Sequence, residues 1–293
     1  MPIPPNRPDA LRNRVFRGSW AVRTGLLTED QLRSAAWRRL RRDVYAPAEL
    51  AVDHRLLVYG VSMVAPEGAV FSGRSALVLA GGDAFATAED PVEVTLPPGR
   101  RWRPAAGLRV STSAANGDVV VGRFGLSRTG PVRTALELVR RLAVDDGVVL
   151  LDQLVHAGLT DLAGVRVAAV SLPRCRGSAV AREATRLADG CAESPQETRL
   201  RLSLLRAGFP PPVAQFPVFD DRGFVARLDF AYPELKIAIE YDGLWHAETG
   251  QFAKDRRRLN RLFALGWRVI FVTAADLHRP ERLHARLATE LAR

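Results

Sequence analysis

The sequence predicts an α/β (α+β) protein: a C-terminal mixed sheet flanked by helices, preceded by a second α+β module. Three observations carry this. The chain has 293 residues, about twice a typical domain, so more than one core is expected. Hydrophobic residues make up 47% and charged residues 25%, ordinary for a globular chain and too apolar for wholesale disorder. Over residues 193–293 the apolar pattern switches repeatedly between helical and extended periods at Gly and Pro punctuation.

Taken in order, residues 1–50 read as a basic arm with room for at most a degenerate winged helix. Pro2, Pro4, Pro5 and Pro8 argue against a helix at the start. Thr28 and Gln31 have capping-box spacing, so Thr28 opens a short helix, with Gly25 closing what precedes it. The run Trp37-Arg38-Arg39-Leu40-Arg41-Arg42-Asp43-Val44-Tyr45 reads as a basic turn entering a strand that Pro47 stops. Residues 51–172 form an α+β module: an Ala/Leu-rich helix after Ser72-Gly73-Arg74-Ser75, a strand over Pro91–Leu96, and a helix over Arg133–Leu142. Residues 173–192, broken at Gly177 and Gly190, read as a helical connector.

Residues 193–293 form the remaining domain. Ser194-Pro195-Gln196-Glu197 starts a helix with Ser194 as cap and Glu197 at the capping-box position; Leu200, Leu204 and Leu205 share a face until Gly208 and Pro210. Three antiparallel strands follow, Val213–Phe219, Phe224–Phe230 and Leu235–Tyr241, then a helix over Phe252–Leu265, a strand over Trp267–Thr273 and a terminal helix from Pro280.

Composition narrows the function classes. Net charge is +10 with a pI near 10.7, and only Lys236 and Lys254 among the 42 cations are lysines. Guanidinium groups match phosphate oxygens bidentately, so an arginine surplus fits a nucleic-acid partner. Residues 1–50 hold half of the net charge, with ten cations against five anions. Cys175 and Cys191 cannot build a disulfide framework, and no charged start leads into an apolar signal core, so a cytoplasmic, reduced protein is expected. No apolar run approaches the roughly 20 residues of a membrane span. The five histidines are scattered, which speaks against structural zinc.

The chemistry-bearing set lies on the third strand. Period two puts Ile237, Ile239 and Tyr241 on one face and Glu240 and Asp242 on the other. On the strand before it Ala226, Leu228 and Phe230 face the core, and Arg227 and Asp229 point away. Pairing across Tyr232-Pro233-Glu234 sets Asp229 opposite Ala238 and diagonal to Glu240, close enough for two carboxylates to share a divalent ion. Glu197 would add a ligand or orient a water, and His246, after Gly243, suits a proton relay.

Glu197 on an opening helix, Asp229 on one strand, Glu240-Tyr241-Asp242-Gly243 with His246 after the next, and Asp255–Arg258 leading to Gly266-Trp267-Arg268-Val269 together resemble the PD-(D/E)XK nuclease superfamily. They look most like endonuclease-domain proteins related to the very-short-patch-repair (Vsr-like) endonucleases. The resemblance covers residues 193–293. It implies a restriction-endonuclease-like mixed sheet, Asp229 and Glu240 as ligands of Mg²⁺ or Mn²⁺, and Asp242 where many members carry lysine. Phosphate contacts would fall to Arg256, Arg257, Arg258 and Arg261. Upstream, Leu27–Arg33, Val44-Tyr45-Ala46 and Ser127–Ala135 resemble an antitoxin-like winged-helix module of the AbiEi kind, with Arg38, Arg39, Arg41 and Arg42 beside Trp37 as a phosphate-binding tip.

The expectation is a metal-dependent DNA endonuclease of repair or defence. The alternatives are a DNA-binding regulator of antitoxin type on a nuclease-like scaffold, or an interaction module partnering a repair or toxin–antitoxin protein. Each residue also has a plainer role. Glu197 serves as a cap, Glu240 and Asp242 as solvated acids, His246 as a loop histidine, Asp255 with Arg258 as a surface ion pair, and Trp245 and Trp267 as packing.

Overall fold

The computed structural model describes residues 7–113, 118–122, 125–242 and 251–293, the last without the side chains of 251–253. Two units result, Met1–Leu138 and Val139–Arg293.

In the first unit Thr28 Oγ1 accepts the Gln31 N–H and Gln31 Oε1 accepts the Thr28 N–H, so the expected capping box forms. It opens only a single turn, α2 (Glu29–Leu32), after β1 (Phe16–Arg17) and α1 (Gly18–Arg23). No helix stands between Leu32 and Trp37, so no recognition helix follows α2. The basic run expected as a turn is itself a strand, β2 (Trp37–Arg41), paired antiparallel with β3 (Val44–Pro47). A bulge between Arg39 and Arg41 lets Trp37 and Leu40 both turn inward, which breaks the period-two signature. Asp43, at φ 60°, makes the turn.

Next come α3 (His54–Ser62), β4 (Val70–Phe71), α4 (Gly73–Leu79), β5 (Val92–Leu96), β6 (Leu108–Thr112), β7 (Val119–Val121), β8 (Ser127–Thr129) and α5 (Pro131–Val139). The five strands order as β6-β5-β4-β8-β7. Every residue of β5 is buried because it lies inside that sheet with α4 against it.

The second unit begins with α6 (Val144–His156), α7 (Leu162–Val170), α8 (Ser178–Leu187) and α9 (Pro195–Arg206). The stretch read as a connector is part of its core: α8 packs on α6 and α7. Gly177 and Gly190, read as breaks, are close-approach points at φ 79° and 71°. A Cβ at Gly190 would fall 2.6 Å from Val155 Cγ1. Fully buried Asp152 of α6 binds these helices together. It accepts from Thr198 Oγ1 at 2.9 Å, Arg201 Nη2 at 2.8 Å and the Asp189 and Gly190 N–H groups at 3.0 and 2.8 Å. The compact unit therefore starts before the expected boundary at 193.

The sheet runs β12-β11-β10-β9, built from β9 (Val213–Asp220), β10 (Gly223–Tyr232), β11 (Ile237–Tyr241) and β12 (Arg268–Val272). The first three strands are antiparallel, as expected, and β12 returns parallel to β11 after α10 (Gln251–Ala264). Helices α11 (Ala274–His278) and α12 (Glu281–Leu291) end the chain. Both sheet faces are covered, which corrects the expected polar face. Phe230, Ile237 and Ile239 pack with Leu200 and Leu204 of α9 and Leu283 and Leu287 of α12; Leu228, Ala231 and Ala238 pack with Leu262 of α10 and Trp267. Trp267, against Phe216 at 5.7 Å between ring centroids, has the expected packing role.

Candidate active site: an acidic cluster beside Arg258

Ser194 Oγ accepts the Glu197 N–H at 3.2 Å and donates to Glu197 Oε1 at 2.8 Å, fixing the start of α9. Glu197 Oε2 accepts the Glu193 N–H and Gln215 Nε2, both at 2.9 Å. The cap residue therefore also ties α9 to β9, and it is buried at 7% exposure.

Gln215 marks an irregularity. Leu228 pairs with Phe216 and Phe230 with Ala214, so Gln215 and Asp229 fall between two regular pairs, and Gln215 sits at φ 51°. A left-handed non-glycine residue inside a strand is strained by roughly 1–3 kcal/mol, a cost often found at functional sites. The pleat changes here: Leu228 packs toward α10 but Phe230 toward α9.

The β10–β11 register also differs from expectation. Ala231, not Asp229, lies opposite Ala238, and Phe230 lies opposite Ile239. One step further along the same register, Asp229 stands across from Glu240 rather than diagonal to it. The difference arises in the connection, where Pro233–Leu235 is a 3₁₀ turn and Lys236 sits in the left-handed region. Asp229 Oδ2 accepts the Tyr241 N–H at 2.8 Å, which holds its carboxylate at the end of β11.

Glu240 is buried and closed by a two-pronged ion pair, Arg258 Nη1 to Oε1 at 2.8 Å and Nη2 to Oε2 at 3.0 Å. Arg258 reaches it from α10, so its hydrogen-bonded partner is Glu240 rather than Asp255, whose charge still acts on it. Asp229 is pushed up to about 6, chiefly by burial and further by the charges of Glu197 and Glu240, against the Tyr241 N–H and Arg258. Arg258 is held above its ordinary value by its bond to Glu240. Carboxylates from α9, β10 and β11 thus share one electrostatic neighbourhood with one guanidinium.

Asp242 is exposed and makes no side-chain hydrogen bond or ion pair with a described residue, although its N–H pairs with Val272 O at 2.7 Å. His246 and Trp245 lie outside the described residues. Arg261, expected on phosphate, is bound to Asp220 through Nε at 2.7 Å and Nη2 at 2.5 Å, which pins α10 to the β9–β10 turn. Arg256 and Arg257 are exposed on α10. Of the N-terminal arginines, Arg38 donates to Ala48 O and Leu50 O, Arg39 to Arg41 O and Arg41 to Ala106 O. Arg42 is exposed.

A hard divalent cation wants oxygen donors, usually one or two carboxylates with water completing the shell. Asp229 and Glu240 are donors of that kind, and the burial and neighbouring like charges that raise Asp229 are what a bound cation would offset. Both oxygens of Glu240 are engaged by Arg258, which is the competitor for the position. Among the described residues no three His, Cys, Asp or Glu side chains are grouped to hold an ion.

Sequence reasoning missed Gln215 and the inward reach of Arg258. In the first unit it also missed His54 Nε2 against Ser75 Oγ at 2.9 Å, both at 2% exposure or less. Ser75 Oγ accepts the Glu93 N–H as well, so the pair is an internal polar joint closed to substrate.

Fold and cluster define a two-unit α+β protein with a buried acidic site at the end of a mixed sheet. The chain belongs to the family of two uncharacterised Mycobacterium tuberculosis proteins, Rv2248 of strain H37Rv and MT2308 of strain CDC 1551. Each is 32% identical over 266 residues, covering 90% of this chain and 95% of the relative. No protein-family profile matches the chain. The crystal structure of the RV2827C protein from M. tuberculosis aligns at a TM-score of 0.39 and 15% identity, over 70% of this chain and 83% of that one.

Proposed function

We propose that this chain is a metal-dependent DNA endonuclease acting in the cytosol, with Asp229 and Glu240 holding Mg²⁺ or Mn²⁺ against a scissile phosphate. The observation that carries the reading is the buried setting of Asp229, within the fields of Glu240 and Glu197, where burial first and the two like charges second raise it to about 6. The resemblance of residues 193–293 to PD-(D/E)XK nucleases supports it. A bound cation would acidify an attacking water and neutralise charge on the phosphate. The chain's own groups do the rest. The Tyr241 N–H orients Asp229, Glu197 and Gln215 brace the cluster, and transfer of Arg258 from Glu240 to a phosphate oxygen would open the carboxylate while clamping the substrate. In the same scheme Asp242 would help hold the cation, His246 would relay a proton, and Arg256 and Arg257 would contact the flanking backbone.

A second reading is favoured by one observation, the closure of Glu240 by Arg258. In it the sheet is a scaffold of a DNA-binding regulator that partners a repair or toxin–antitoxin protein. Incubation with supercoiled, linear, mismatched and single-stranded DNA in Mg²⁺ or Mn²⁺ separates the two. The nuclease reading expects cleavage that Asp229→Ala and Glu240→Ala abolish; no cleavage of any substrate, or equal cleavage by the variants, rejects it.

A further inference from the structure

The first unit contains an open cleft of about 760 Å³ whose lining includes Arg41, Arg42 and Arg103 together with the ring of Trp102. Its one lining carboxylate, Asp43, is already committed. It accepts from Arg17 Nε at 2.9 Å, the Ser19 N–H at 2.6 Å and Ser19 Oγ at 2.7 Å. Among the described residues the three other arginines of the lining have no anionic partner. Arg42 and Arg103 make no hydrogen bond or ion pair with a described residue and are exposed. Arg41 is half-buried, and its side chain's one hydrogen bond among the described residues goes to the Ala106 carbonyl at 3.2 Å. Burial lowers its pKa, as expected of a cation with no anion beside it.

A desolvated guanidinium normally has an anionic partner, because charge removed from water is costly unless paired. Two further unpaired guanidiniums at the same opening make the missing partner multiply charged or repeated. Trp102, half-buried against the β5–β6 core, presents a flat apolar surface in the same cleft. Leu40 and Leu108 supply apolar lining. Arginine forks beside an aromatic face suit a phosphate joined to a planar base.

We propose that this cleft binds nucleoside phosphates, Arg41, Arg42 and Arg103 holding the phosphate and Trp102 stacking on the base. The cleft is built from first-unit residues alone, and the proposal does not rest on the nuclease reading. The same chemistry is offered by a free nucleotide and by a nucleic-acid strand, and the experiment separates them.

The full chain is titrated in EDTA, so that cleavage plays no part, with a fluorescein-labelled single-stranded oligonucleotide, adenosine monophosphate and inorganic phosphate. Anisotropy and tryptophan quenching report binding. For a strand, affinity falls with salt, and Arg42→Gln and Arg103→Gln each reduce the log–log slope by about 0.7. Trp102→Leu weakens binding roughly 5-fold or more, the loss of one stacked base. Tight binding of adenosine monophosphate, sensitive to the same variants, identifies a free-nucleotide site instead. Binding that ignores all three variants, or phosphate competing as well as adenosine monophosphate, overturns the proposal. If Trp102→Leu lowers the melting temperature by several degrees, the two exposed arginine variants decide alone.

Discussion

Asp229→Asn removes a charge that the fold buries, and crowds with like charges, more than it compensates, so the variant is expected to be more stable than the wild type at neutral pH. The folded carboxyl titrates at about 6, against about 3.9 in an unfolded chain. At 1.36 kcal/mol per pKa unit, the ionised group costs the folded state up to about 3 kcal/mol. The sign follows from proton counting. Between these two pH values the folded state holds the proton more tightly, so wild-type stability falls as pH rises through the window. Below about pH 4 the wild-type carboxyl is neutral in both states and the variant has no advantage. Asparagine still offers an oxygen to the Tyr241 N–H, so that hydrogen bond survives. Urea unfolding of both proteins from pH 4 to 8, followed in the Val139–Arg293 unit, should give a difference that grows from near zero to about 2–3 kcal/mol, or about 4–12 °C in melting temperature. A difference that is flat with pH, or one favouring the wild type at pH 8, would refute a carboxylate destabilised by burial and like charge.

Breaking the Glu240–Arg258 pair from either side leaves a buried or half-buried charge alone, so Glu240→Gln and Arg258→Met should each cost about 2–4 kcal/mol. The double variant should cost clearly less than their sum, and a double-mutant cycle with coupling below about 0.5 kcal/mol would show that the pair is not closed in solution. Asp152→Ala should destabilise the second unit by about 3–5 kcal/mol, since it strands Thr198 and two backbone N–H groups and leaves Arg201 with only Asp189 and the Leu187 carbonyl; equilibrium denaturation measures this, and a loss below about 1 kcal/mol would contradict the buried node.

Much of the second unit was legible because its boundaries carry their own chemistry. Ser194 and Pro195 start α9, Gly208 ends it, and Gly266 separates α10 from β12. Each acts within a few residues and needs no tertiary context. The strand β2 was not legible, because a bulge at Arg39–Arg41 takes Trp37 and Leu40 out of alternation and four arginines mimic an exposed turn. The glycines at 177 and 190 look like linker breaks in sequence, yet they are required by a close approach of helices that no local pattern encodes.

At the site, the identity of the acidic residues was readable from their order, and their geometry was not. The register of Asp229 depends on the 3₁₀ turn and on Lys236 adopting a left-handed conformation, which is unusual for lysine. Arg258 was readable as a cation on a helix, but its target depends on how α10 lies across the sheet. Gln215 gave no signal at all, since its strained conformation exists only where β9 meets Asp229.

Direct titration of Mn²⁺ into the wild type and into Asp229→Asn and Glu240→Gln at pH 7.5, by calorimetry or by loss of the free-ion resonance, tests whether the acidic cluster is a cation site. Saturable binding by the wild type, lost in both variants, is expected, with proton release emerging when the titration is repeated near pH 6, where Asp229 is about half protonated. Absence of binding by the wild type at millimolar Mn²⁺, or equal binding by all three proteins, would contradict this expectation.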